Sequence, residues 1–145
     1  MEEVWVDVLR KDGSKAAHGA LFINDADPVV FLYKKDPLRG VLYNQVLRGS
    51  ERLTELETTI VAEPYYMSGS SRKAVSRSYT WTMNGKEIAP QGDDPSIITL
   101  RQNSSQSGSA DLSFSIQSTN PSQLLQNANA MVTLVFGTGG NSFGL

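Results

Sequence analysis

Apolar and polar residues alternate along this chain with a period of two more often than with a helical period. Val4, Val6 and Val8 alternate with Trp5, Asp7 and Leu9, and Leu112, Phe114 and Ile116 alternate with Asp111, Ser113, Ser115 and Gln117. Successive side chains of a strand point to opposite faces, so the second run predicts a strand with one buried and one polar face. The run MVTLVFG at 131–137 is apolar on both sides of its alternation. That pattern predicts a strand covered on both faces or lying near a sheet centre. Further strands are predicted at 20–24, 29–33, 40–47, 58–62, 78–83 and 97–101, all rich in β-branched or aromatic residues.

Turn signals separate these runs: Asp12-Gly13, Asp36-Pro37, Asn84-Gly85, Gly92-Asp93-Asp94-Pro95 and Asn120-Pro121. Their recurrence every ten or so residues predicts an all-β fold, an antiparallel sandwich with additional strands at the N-terminus. Helix is predicted only as one or two turns at 37–45 and at 122–127, the latter capped by Ser122. The Ser-rich stretches SGSSRKAVSRS (68–78) and QNSSQSGS (102–109) predict exposed loops, and the Gly-rich segment 138–145 a flexible tail.

The stretch SYTWTMNGKEI (78–88) places Tyr79, Trp81 and Met83 on one strand face and Thr80 and Thr82 on the other. Three large apolar side chains in a row form a sticky patch if they face water, so burial is the expected state. Asn84-Gly85 tolerates the positive φ angles of a tight hairpin.

The run from Thr59 to Phe136, with IVAEPYYMS, SYTWTMNGKEI, IITLRQ, ADLSFSIQS and AMVTLVFG, resembles immunoglobulin-like or PKD-like β-sandwich domains. In such domains a Y-x-W-x-x-N-G strand sets its Trp between the sheets, which implies a core position for Trp81; Tyr79, on the same strand face, and Phe114, on the apolar face of its own strand, are the other core residues expected. The disulfide of antibody domains has no counterpart here, since the chain has no cysteine. VVFLYKKDPLRGVLYNQVL at 29–47 resembles uncharacterised bacterial membrane-anchored Ig-like proteins. That resemblance implies an extracytoplasmic or cell-surface location, with any membrane link made by segments absent from this chain. The organisation expected is an N-terminal strand region at 1–57, joined to or separate from a sandwich at 58–137, with the tail beyond it.

Composition narrows the function classes. The 13 basic and 15 acidic side chains give a formal net charge of −2, which carries no footprint for a phosphate backbone and points away from nucleic acid. Without cysteine there is no thiolate metal site or cysteine nucleophile. The single histidine, His18 in KAAHGALF, has no nucleophile elbow to serve, and the carboxylates Glu55, Glu57, Glu63, Glu87, Asp93 and Asp94 all lie in polar or turn contexts. The chain therefore reads as a non-enzyme.

Asn24, Asp25 and Asp27 put three oxygen-bearing side chains just before a strand, a candidate calcium site, although Asx-rich turns also form for backbone reasons alone. No other cofactor is indicated. Arg72 and Lys73 in the first polar loop, and the adjacent Tyr65 and Tyr66, are the candidate binding residues. The function expected is adhesion, spacing or protein–protein interaction at a cell surface. The alternative is a carbohydrate-binding module in which Trp5, Tyr65, Tyr66 or Trp81 stacks on sugar rings. Protein or glycan partners follow from these readings, and exposed strand edges admit an oligomer.

Overall fold

The computed structural model describes residues 2–24, 26–67, 76–102, 107–121 and 126–137. Within them the chain forms eleven strands: β1 (Glu2–Leu9), β2 (Lys15–Ile23), β3 (Val29–Asp36), β4 (Gly40–Leu47), β5 (Gly49–Arg52), β6 (Glu57–Tyr65), β7 (Arg77–Met83), β8 (Lys86–Ile88), β9 (Ile97–Arg101), β10 (Gly108–Ser118) and β11 (Asn127–Phe136). They assemble into a five-stranded sheet, β5-β11-β10-β7-β8, a four-stranded sheet, β4-β3-β6-β9, and a separate two-stranded ribbon, β1-β2. The protein is all-β, a sandwich of the two larger sheets. Pairing is antiparallel except between β11 and β5, which run parallel.

Alternation builds the core. Along β10 the even positions Ala110, Leu112, Phe114, Ile116 and Ser118 are buried, and Leu112, Phe114 and Ile116 share one core cluster with Val30, Leu32, Ile60, Ala62 and Ile98 of the opposite sheet. Trp81 pairs with Phe114 across β7 and β10, with ring centroids 4.6 Å apart, and is 1% exposed. Its Nε1–H donates to the Pro95 carbonyl at 2.9 Å, so the polar edge of the indole is satisfied inside the core. Tyr79 packs partly buried on the same cluster. The hairpin from β7 to β8 turns on Asn84 and Gly85 with φ of 51° and 76°, the positive pair that the Asn-Gly sequence accommodates.

One local expectation is corrected. Residues 37–45 form a turn and then β4 rather than helix, because Gly40 takes a positive φ of 79° and the following residues join β3. Of the two states expected for MVTLVFG, β11 takes the second, lying inside its sheet between β5 and β10, with Val132 and Leu134 buried and Met131 66% exposed on the other face. Of the two organisations left open for residues 1–57, β3, β4 and β5 follow the joined one, since β3 and β4 share a sheet with β6, and β5 adds to the edge of β11. Of the helical turn at 122–127, residues 122–125 lie outside the described residues and Asn127 opens β11. The segment 138–145 also lies outside them.

Thr58 faces the core at 2% exposure, and its Oγ1 has no hydrogen-bond partner among the described residues. Replacing that hydroxyl by a methyl of the same shape removes a buried unsatisfied group. Thr58→Val is therefore expected to raise stability by about 1 kcal/mol. Urea unfolding reads this as a higher midpoint at unchanged slope, and a lower midpoint would show that the hydroxyl is bonded after all.

Candidate functional site

Two surfaces stand out once the core is assigned. The first is the β1-β2 ribbon. Every described residue from Glu3 to Asn24 is exposed, among them Val4, Trp5, Val6, Val8, Leu9, Leu21, Phe22 and Ile23. The register pairs Val4 with Leu21, Val6 with Gly19 and Val8 with Ala17, and cross-strand partners share a face. From Val4 to Val8 one face of the ribbon is thus apolar, and at its base the register sets Ile23 opposite Glu2.

The opposite face is mixed. There Asp7 accepts a hydrogen bond from His18 Nδ1 and an ion pair from Lys15 Nζ at 3.0 Å, while Trp5 stacks on the His18 ring at 4.7 Å between centroids. His18 first and Lys15 second hold the Asp7 carboxyl below its ordinary value. The lone histidine is therefore bound into a surface ion cluster on a hairpin. At the tip, Asp12 accepts from both the N–H and the hydroxyl of Ser14, and Gly13 takes a φ of 82°, so Asp12-Gly13 closes the turn by local chemistry.

The second surface is the outer face of the β4-β3-β6 sheet. Tyr33 and Val61 are buried, at 5% and 0% exposure, yet neither belongs to the inter-sheet core. Around them Phe31 meets Tyr65 at 5.5 Å and Tyr33 meets Tyr43 edge-on at 5.2 Å between centroids. The Tyr33 and Tyr65 hydroxyls lie 3.2 Å apart in a hydrogen bond, Tyr43 Oη–H donates to Glu63 at 3.4 Å, and the Arg48 guanidinium sits 5.4 Å from the Phe31 ring centroid. Here the four rings form an outer aromatic layer that includes Tyr65. Phe31, Tyr33, Tyr43 and Arg48 escaped the sequence reading, although the i, i+2 spacing of Phe31 and Tyr33 marks them as sharing a face.

The Tyr65 hydroxyl is pushed well above its usual value of 10.0, by the Tyr33 hydrogen bond first and by burial second. Burial also raises Tyr79. A raised phenol favours the native state only while it stays protonated: its contribution is complete below the unfolded value near pH 10 and fades as pH climbs above it. The urea midpoint is expected to be level between pH 8 and pH 9.5 and to fall beyond about pH 10, with a smaller fall in Tyr65→Phe. An equal fall in the variant would deny Tyr65 this role.

The remaining candidate residues scatter. Asn24 and Asp27 are exposed in the connection between β2 and β3, and Asp25 lies outside the described residues. Among the described residues no group of three or more His, Asp or Glu is placed to hold a metal ion. Tyr66 is 66% exposed at a left-handed φ of 59°, next to the end of β6, while Trp81 is sealed in the core. Arg72 and Lys73 lie outside the described residues, as does most of the loop that carries them and the centre of the second loop at 103–106. Of the six carboxylates weighed for catalysis, Asp94 departs from its expected solvated state: it is 9% exposed and accepts from the Ser96 N–H at 3.1 Å and hydroxyl at 2.6 Å. It serves the turn that receives Trp81. No family model matches the chain, and no curated protein is significantly similar to it.

Proposed function

We propose that this chain is a non-enzymatic, extracytoplasmic Ig-like module whose work is association with other proteins at a cell surface, as an adhesion, spacing or interaction element. One observation carries the reading. A sandwich that seals its core to 0–1% exposure at Leu32, Ile60, Trp81, Leu112 and Phe114 leaves a neighbouring ribbon open to solvent with Val6, Leu21 and Phe22 at 59–64%. A two-stranded ribbon on its own is marginal in water, and an uncovered aliphatic face is the usual mark of an interaction site. The Ig-like assignment is supported by Trp81 between the sheets, opposite Phe114, on a strand that turns at Asn84-Gly85.

The test is binding of the solubilised surface proteins of the source cells to the chain immobilised through its C-terminus. Saturable binding that weakens at least tenfold in a Val6→Asp, Leu21→Asp variant is the expected result, since each substitution places a charge in the apolar contact. Binding untouched by that variant, or no binding, overturns the reading.

A carbohydrate-binding role is the second reading, favoured by the outer aromatic layer. Tyr43 is 55% exposed beside Glu63, an arrangement that offers a ring to a sugar face and a carboxylate to its hydroxyls. Titration with soluble oligosaccharides, followed by tyrosine emission, separates the two: saturable change lost in Tyr43→Ala supports this role, and a flat titration removes it.

A further inference from the structure

We propose that the β1-β2 ribbon binds a second copy of this chain, two ribbons lying antiparallel with their Val4-Val6-Val8-Leu21-Ile23 faces in contact. The inference rests on the association reading above and names its partner.

Charge is the first support. The ribbon is polarised along its length. Its tip carries Arg10 and Lys11, whereas its base begins with Glu2 and Glu3, of which Glu2 shares the face of Val4 by register. Asp12 at the tip is engaged by Ser14, and Asp7 in the middle is engaged by Lys15 and His18. Eight residues of strand separate tip and base by about 25 Å, more than two screening lengths at physiological salt, so the two ends act as distinct charges. A parallel pair of ribbons sets tip on tip and base on base, like on like. An antiparallel pair sets the basic tip of each copy over the acidic base of the other, and a two-fold axis supplies both contacts at once.

The apolar face supplies the second support. From Val4 to Val8 it carries no charged or hydrogen-bonding residue, so two copies meet there without stranding a polar group, and Glu2, which the register sets opposite Ile23, stands at its base. The Asp7, Lys15 and His18 cluster lies on the opposite face, where it stays in water. Five aliphatic side chains at 42–64% exposure from each copy bury on the order of 1,000 Å² in total, the lower bound of a specific interface. Such an area predicts a reversible dimer in the micromolar range rather than an obligate one. The sandwich core is complete in each copy and takes no part.

Sedimentation velocity on the whole chain across about 1–300 µM tests this, with salt varied. The wild type is expected to pass from monomer to dimer within that range and to dissociate more readily as salt rises. Val6→Asp weakens the dimer at least tenfold while the thermal midpoint of the sandwich stays unchanged, since Val6 lies outside its core. Glu2→Lys and Lys11→Glu each weaken it, and the double exchange returns the affinity to within about threefold of wild type, because the doubly exchanged copies again pair opposite charges. A chain monomeric throughout, or a dimer indifferent to Val6→Asp, overturns self-association. A double exchange that fails to recover overturns the antiparallel order. A monomeric chain that still binds surface proteins saturably leaves the interaction reading standing and removes only the second copy.

Discussion

Trp81→Ala is expected to remove about 3–5 kcal/mol of stability, the range for truncating a fully buried large aromatic. The indole is 1% exposed and packs on Phe114 at 4.6 Å, with Leu112, Ile116 and Leu134 in the same cluster. Alanine leaves a cavity between two sheets that cannot collapse without shifting both, and strands the Pro95 carbonyl that the indole N–H now satisfies. For a chain of this size the thermal midpoint should drop by about 10–20 °C. Trp81→Phe keeps most of the volume and loses the hydrogen bond, so its cost should be about half as large. A drop under about 3 °C in Trp81→Ala would mean that the ring is not a core element.

Asp94→Ala is expected to cost about 2–3 kcal/mol, because it leaves the N–H and hydroxyl of the fully buried Ser96 without their acceptor. The same turn holds Pro95, whose carbonyl receives Trp81, and the Ser96 carbonyl that accepts from the Ala62 N–H at 2.8 Å. Asp94 and Trp81 therefore act through one segment. Their combined loss should be smaller than the sum of the single losses, which a double-mutant cycle with Trp81→Phe reads directly. Asp94→Asn retains one acceptor oxygen and should be milder than alanine. Equal, additive losses would show that the turn is held independently of the indole.

How far the sequence is legible depends on whether a feature is local. The strand with Tyr79, Trp81 and Met83, its burial and its Asn84-Gly85 turn all follow from spacing within ten residues, and the even positions of β10 do likewise. The isolation of β1-β2 does not follow, since Val4, Val6 and Val8 alternate in the same way whether or not another sheet lies above them. PLRGVLYNQ has no clear period, which is why 37–45 reads equally as a helical turn and as the strand it forms. Asp94 in Gly-Asp-Asp-Pro has the composition of a solvated turn, and its burial comes from tertiary packing that no local pattern shows. The outer aromatic layer draws its rings from β3, β4 and β6. Their meeting depends on sheet order and register, which a two-residue period within each strand leaves open.

Amide hydrogen exchange at two protein concentrations, one tenfold below and one tenfold above the dimer midpoint, tests the central claim most directly. At both concentrations β3, β6, β7, β10 and β11 should be protected, reporting the sealed sandwich. In the ribbon, residues 4–9 and 15–23 should exchange quickly when dilute and gain at least tenfold protection when concentrated, with no gain in Val6→Asp. Ribbon protection as strong as that of the sandwich strands and independent of concentration would contradict the account, since it would mean that the aliphatic face is already covered within one chain.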